Sequence, residues 1–332
     1  MRCASIAAAA GLMFVAAGCS DPAPARAGYV RTVTDMAGHR VRLPPPEKIK
    51  RIACLDVLCY ERLFLLGASD RIVVMMKTDP PWMRTIDPTS ARIPQISATV
   101  NVEELLRLHA DVAFRVSGYP PDAVVHKLAA AGIPVLDSQV GKYGAIHTLD
   151  EFVASRNRMM RLYGQVLGGP YATRAEAWCA YHDAMVAMVR ARVQAIPRDR
   201  RLRLFHRRGG LGSYTQGDLT ANPYGYGALA GADMEVKGES RIAQGAVTVE
   251  EILKWNPDVV NVGRGYPAGL VKSDPLWKSV AALRHGRIAE TPDGVFYWDG
   301  SSEGVLLMLY VAKELYPERF SDFDLAAAVR DY

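Results

Sequence analysis

One stretch limits what this chain can fold into. From Tyr171 to Ala195 there is neither Gly nor Pro for 25 residues, while Pro170 stands just before it and Pro197 just after. Proline is tolerated in the first turn of a helix and not in its interior, so the two prolines mark a start and a stop. Apolar residues at Ala175, Trp178, Met185, Met188, Val189 and Val193 recur near the helical period. At 1.5 Å per residue the helix is roughly 37 Å long, about the span of a whole domain.

The segments on either side of it match each other. Val102-Glu103-Glu104-Leu105-Leu106-Arg107-Leu108-His109-Ala110-Asp111-Val112 runs parallel to Val249-Glu250-Glu251-Ile252-Leu253-Lys254-Trp255-Asn256-Pro257-Asp258-Val259. The offset of 147 residues continues without a gap into Gly118-Tyr119-Pro120 and Gly265-Tyr266-Pro267. Each copy reads as a short helix, a turn, a buried strand and a loop. A repeated unit on both sides of one long helix predicts two similar lobes joined by that helix. The alternative is that helix–strand units of α/β proteins simply look alike.

The N-terminus reads as an export signal. Met1-Arg2 precedes an uncharged apolar run from Cys3 to Ala17, too short to span a membrane comfortably. Ala16-Ala17-Gly18-Cys19-Ser20 resembles a bacterial lipoprotein signal, with Cys19 as the lipid acceptor and Ala16 where the pattern favours Leu. An ordinary secretory signal cut near Ala25 or Ala27 is the alternative; both readings export the chain. The expected division is 1–18 signal peptide, 19–28 flexible tether, 29–168 N-terminal lobe, 169–196 bridging helix and 197–332 C-terminal lobe. The 40 Lys and Arg are dispersed and the net charge is +5, so nothing points to nucleic acid. Of five cysteines, Cys54, Cys59 and Cys179 remain after the first two, an odd number for an oxidising compartment. Cys54 at the end of a strand pattern and Cys179 within the long helix read as buried free thiols; the alternative is a Cys54–Cys59 bridge across a strand-to-helix corner.

Val30 to Leu43 reads as a hairpin turning at Asp35-Met36-Ala37-Gly38. Strands at Arg51–Leu55, Ile72–Met76 and Ile133–Leu136 alternate with helices at Val57–Leu66 and Asp122–Ala131, each closed by a glycine. Thr148 and Glu151 form a capping box for a helix to Leu167. In the second half, strands at Arg203–His206 and Arg287–Ala289 flank the second repeat copy. The fold class expected is α/β, with mostly parallel central sheets and a ligand site outside the carboxyl ends of the strands.

These residues resemble the substrate-binding proteins of importers for iron complexes and vitamin B12. The resemblance rests on Asp35-Met36-Ala37-Gly38, Arg51-Ile52, Asn101 to Asp111, Thr248 to Asp258, Trp277 to Ala281, Gly286-Arg287-Ile288, and Trp298 through Tyr316-Pro317. It implies the class III periplasmic-binding-protein architecture, a solute held between the lobes, and delivery to a membrane permease with its ATPase. It also implies acidic docking residues, for which Asp122 and Asp274 are the candidates. The protein is expected to be a periplasmic, lipid-anchored monomer that needs no cofactor and carries no metal ligand cluster of its own.

Loops at the strand ends supply the candidate ligand residues: Tyr60, Trp82, Arg115, Tyr119, His206, Arg208, Tyr214, Tyr226, Arg264, Tyr266 and Trp298. Arginine grips carboxylates and phosphates, and aromatic faces cover the flat parts of a chelate. So many cations at one cleft predict an anionic solute. A preformed metal chelate (ferric siderophore, corrinoid or heme) is the leading expectation, with an oxyanion such as molybdate as the alternative. An exported chelatase-like enzyme using His206 or Asp56 is the rival class. No nucleophile elbow, His-Glu-x-x-His pattern or phosphate-binding glycine loop supports it.

Overall fold

The structure, a computed structural model, describes residues 31–332 except 81, 98–99, 140–144, 208–221, 235–248 and 265–267. The expected signal peptide, Cys19 and tether, together with Arg208, Tyr214 and Tyr266, lie outside the described residues.

The chain opens with an antiparallel hairpin, β1 (Arg31–Thr34) and β2 (Arg40–Leu43). The first lobe follows as β3 (Ile52–Leu55), α1 (Cys59–Leu65), β4 (Ile72–Met76), α2 (Met83–Ile86), β5 (Gln95–Ile96), α3 (Val102–Arg107), β6 (Val112–Val116), α4 (Asp122–Ala130) and β7 (Val135–Gln139). Two helices come next, α5 (Leu149–Leu167) and α6 (Gly169–Val193). The second lobe holds β8 (Leu204–Arg207), α7 (Asn222–Leu229), α8 (Val249–Trp255), β9 (Val259–Val262), α9 (Ala268–Ser273), α10 (Ala281–Arg284), β10 (Ile288–Glu290), α11 (Gly304–Leu315) and α12 (Leu325–Asp331). The first sheet has the order β5-β4-β3-β6-β7 and the second β10-β9-β8, and every pairing within them is parallel. All four residues of β3, β8 and β9 are buried, as strands covered on both faces require.

The sequence repeat is legible in backbone detail. His109 and Asn256, which correspond across the two copies, both take left-handed backbone, with φ of 48° and 52°. Asp111 Oδ2 accepts the Lys50 and Arg51 amides, and Arg51 Nε donates to the Leu108 carbonyl. Asp258 Oδ2 likewise accepts the Arg203 amide, and Arg203 Nη1 donates to the Trp255 carbonyl. The same carboxylate–arginine clip thus ties the repeated helix–strand unit to the first strand of each sheet.

The long helix forms as expected, displaced by two residues from the predicted bounds. Its buried stripe is Ala175, Trp178, Cys179, His182, Val186, Val189 and Val193. The first three of these pack in the core of the first lobe and the last three in that of the second. α5 runs back alongside it and is shared in the same way, with Phe152 in the second core and Met159 to Leu167 in the first. The reversal between the two helices rests on Gly168, at φ 64°, where a Cβ would lie 2.8 Å from Pro46. The expected capping box of Thr148 and Glu151 starts α5. Among the described residues no helix is long and apolar enough to cross a membrane.

The structure corrects the reading of the cysteines: Cys54 and Cys59 are joined by a disulfide, and Cys179 is a buried free thiol. The corner that made a bridge look unfavourable is what makes it possible. The turn from β3 into α1 folds the chain back so that the two Cα atoms stand 5.4 Å apart.

Candidate solute-binding site

Parallel strands bring their carboxyl ends to one edge of each sheet, and polar side chains cluster there in both lobes. In the first lobe Asp56 follows β3. Its Oδ1 accepts the Leu58 amide, and its Oδ2 accepts Ser138 Oγ at 3.1 Å and Gln139 Nε2 at 2.5 Å. Arg62 Nη1 stands 3.7 Å from the same oxygen. With both oxygens engaged, Asp56 is an organising residue of the strand-end cluster.

Arg115, at the end of β6, is buried. Its Nε donates to Asp137 Oδ1 at 2.6 Å, and its Nη1 donates to Asp122 Oδ1 at 2.9 Å and to the Pro120 carbonyl. Burial alone would lower its pKa, but these hydrogen bonds outweigh it and hold the guanidinium above its ordinary range. Asp122, exposed on the first turn of α4, is therefore an ion-pair partner of Arg115 as well as a surface acid. Asp274 is half-buried after α9.

In the second lobe, three adjacent strands contribute one polar residue each to a single layer. His206 of β8 and Asn261 of β9 are register partners, and Thr291 follows β10. Thr291 Oγ1 donates to Asn261 Oδ1, and Asn261 Nδ2 lies 3.1 Å from His206 Nδ1. His206 is 1% exposed, yet its Nε2 has no hydrogen-bond partner. The nearest carboxylate oxygen, Asp299 Oδ2, is 3.6 Å away. Asp299 Oδ2 accepts the Arg264 amide at 3.2 Å, Arg264 Nε forms an ion pair with Oδ1 at 3.0 Å, and the guanidinium lies over the Tyr297 ring. Burial, and then the Asp299 charge, push the Asp293 carboxyl up beside this group.

Between the lobes, Ser302 Oγ donates to Glu61 Oε2 at 3.0 Å, while Glu61 Oε1 is buried without a partner. Burial and the neighbouring Glu303 push Glu61 up to about 8. Glu303 itself accepts the Val295 and Phe296 amides, and burial pushes it up to about 7. Trp178 Nε1 donates to the Tyr332 hydroxyl at the same junction.

The other predicted residues are scattered. Tyr60 is fully buried in the first core and donates to Asp87; Tyr226 is fully buried in the second, 3.1 Å from His182 Nε2. Trp298 packs in the second core. Tyr119 is half-buried, its hydroxyl enclosed without a partner. Trp82 is 50% exposed beyond β4, next to exposed Ile86. The structure thus brings together His206 and Arg264 around Asp299, and Arg115 with Asp122. Sequence reasoning placed Asp299 in a cleft loop, Phe296 to Asp299, without giving it a role, and missed Asn261, Thr291, Ser138 and Gln139. Only Asn261 carried a local signal, as the single polar residue in the strand Val259-Val260-Asn261-Val262.

Among the described residues, one trio has ligand atoms close enough to share a metal ion: Asp35, His39 and Asp137. Its carboxylates are already in use. Asp35 accepts the amides of Ala37, His39 and Asp137, and Asp137 is bonded to Arg115. The trio pins the β1–β2 turn to the edge strand β7.

Comparison with known proteins agrees with this architecture. Residues 52–295 match the family model described as periplasmic binding protein. The chain belongs to that family and is a solute-binding protein of the ABC-transporter type, with the periplasmic location the family implies. It is 25% identical over 324 residues to the molybdate-binding protein MolA of Haemophilus influenzae, covering 91% of this chain and 89% of that one. The structure of MolA bound to molybdate superposes with a TM-score of 0.75 at 22% identity, covering 91% of this chain and 96% of the other. A periplasmic solute binding protein from Veillonella parvula gives 0.73 at 21% identity, with 91% of each chain covered. CeuE of Helicobacter pylori with Ni(II) bound gives 0.70 at 19%, covering 91% and 94%. At these identities the superpositions establish the fold.

Proposed function

We propose that this protein captures a small oxyanion of the molybdate type between its two sheets and delivers it to a membrane permease and its ATPase. The observation that carries this reading is the buried, unpartnered His206 Nε2 at the end of β8. A buried donor left without an acceptor is costly, and a solute oxygen supplies one. The full-length similarity to a molybdate-binding protein supports the same class of solute. The expectation of an anion drawn by uncompensated cations loses its footing for Arg115 and Arg264, which have carboxylate partners inside the protein. Recognition then depends on aimed N–H and O–H donors more than on net charge.

A preformed metal chelate is the second reading, favoured by the exposed indole of Trp82 beside Ile86, which offers an apolar face to an organic ligand. A thermal-shift panel of molybdate, tungstate, sulfate, a ferric siderophore, a corrinoid and heme separates the two. A solute at about 100 times its dissociation constant stabilises the fold by roughly 2.7 kcal/mol. Stabilisation by an oxyanion supports the proposal, and stabilisation by a chelate alone overturns it. Cys19 is proposed as the lipid attachment point. Mass spectrometry of membrane fractions is expected to find it diacylglyceryl-modified, and a soluble product starting between Ala23 and Gly28 refutes the anchor.

A further inference from the structure

The polar layer of the second sheet has a counterpart in the first that is not polar. The two lobes share the Asp111/Arg51 and Asp258/Arg203 clips, which set their strands in register. Three residues beyond Arg203 stands His206; three beyond Arg51 stands Cys54. His206 pairs with Asn261, and Cys54 pairs with Phe114. Phe114 in turn pairs with Leu136 on the next strand, and Cys54, Phe114 and Leu136 all lie in the apolar core. The architecture therefore closes without a polar layer at this level. A histidine and an asparagine, each 1% exposed, occupy it in the second lobe alone.

The bonds within the layer have a direction. In the structure Asn261 Oδ1 accepts the Thr291 hydroxyl and the amide presents its N–H to His206 Nδ1. A ring nitrogen that accepts carries no proton, which puts the imidazole proton on Nε2. The Asp299 carboxylate, 3.6 Å from Nε2, favours the same arrangement, since it would repel a lone pair there and attract an N–H. Gly263 leaves the space this needs: a Cβ there would stand 2.7 Å from His206 Nε2 and 2.5 Å from Asp299 Oδ2.

We infer that Asn261 and Thr291 are positioning residues that hold His206 in its Nε2–H tautomer, and that this N–H is the donor the second lobe offers to an oxygen of the bound oxyanion. The inference rests on the oxyanion reading for the donor role but not for the tautomer. It assigns specificity as well: an oxygen acceptor completes the bond, whereas a solute presenting only donors or apolar groups leaves the N–H unpaired.

The test has two arms. In the ligand-free protein, nitrogen-15 NMR of histidine-labelled material, with the His206 signal identified by its loss in His206→Gln, reads the tautomer directly. The expected result is a protonated Nε2 and a bare Nδ1 in the wild type. In Asn261→Asp, where a carboxylate faces Nδ1 while Asp299 stays near Nε2, Nδ1 is expected to gain a proton. In the second arm, calorimetric titration with molybdate is expected to show at least about tenfold weaker binding in Asn261→Leu and a smaller loss in Thr291→Val. Melting curves accompany both variants, and Thr291→Val, the mildest change, keeps the test open if Asn261→Leu does not fold. A wild-type His206 protonated on Nδ1 overturns the inference. So does molybdate affinity unchanged in folded Asn261 and Thr291 variants. A wild type that shows the expected tautomer but binds no oxyanion overturns the functional reading and the donor role with it, and leaves the tautomer assignment standing.

Discussion

At the scale of single residues, Glu61 is a buried carboxyl with one oxygen left without a partner. It is fully buried, faces Ser302 across the lobes, has Arg62 beside it on α1, and lies within electrostatic reach of Glu303, Tyr226 and Tyr332. Burial first, and then Glu303, raise its pKa to about 8 from the ordinary 4.5. A carboxyl raised on folding is protonated in the native state at pH values where the unfolded chain is already ionised. Its favourable contribution is therefore complete below about pH 4.5 and is lost as pH climbs through about 8. At 1.36 kcal/mol per unit the loss is on the order of 5 kcal/mol at most. Glu61→Gln keeps the shape and removes the titration. Melting temperatures of the two proteins should coincide near pH 4 and diverge upward, with the variant the more stable at pH 8. Parallel curves across that range would show that Glu61 does not titrate in this window.

At the scale of elements, the corner between β3 and α1 carries a measurable share of stability. The Cys54–Cys59 bridge closes a loop of sequence separation 5. Chain-entropy reasoning gives such a short loop about 2 kcal/mol. Cys54→Ala/Cys59→Ala should lower the unfolding free energy by that amount in denaturant titrations, and wild type in reductant should match the double variant. Equal stability of oxidised and reduced wild type would rule the contribution out. This corner also marks where sequence reading reaches its limit. Strand and helix positions were legible, because apolar runs, glycine stops and the Thr148–Glu151 box are local signals. The disulfide was not, since it depends on how sharply the chain turns. The stripe on α6 was partly legible: Ala175, Trp178, Val189 and Val193 lie on it, Met185 and Met188 are only half-buried beside it, and His182 was missed because it is polar. It belongs there because its ring stacks on Trp178 and bonds Asn157 and Tyr226. The same limit explains the site. Arg115 and Arg264 were placed at strand ends and Asp299 in a cleft loop, but the pairing of Arg115 with Asp137 and of Arg264 with Asp299 joins distant segments that only the folded sheet brings near.

At the scale of the whole molecule, two parallel sheets direct their strand ends toward polar clusters, and two antiparallel helices, α5 and α6, tie the cores together. The repeat at an offset of 147 residues made this architecture readable, because it duplicates the Asp111 and Asp258 carboxylates that clip each sheet. What the repeat does not duplicate is the His206–Asn261–Thr291 layer, and that asymmetry is where the account locates solute recognition. Calorimetric titration of molybdate into the wild-type protein, repeated with a ferric siderophore, tests this most directly. The expected result is one molybdate bound per chain and no heat from the chelate. Saturable binding of the chelate, with no binding of molybdate or tungstate, would contradict it.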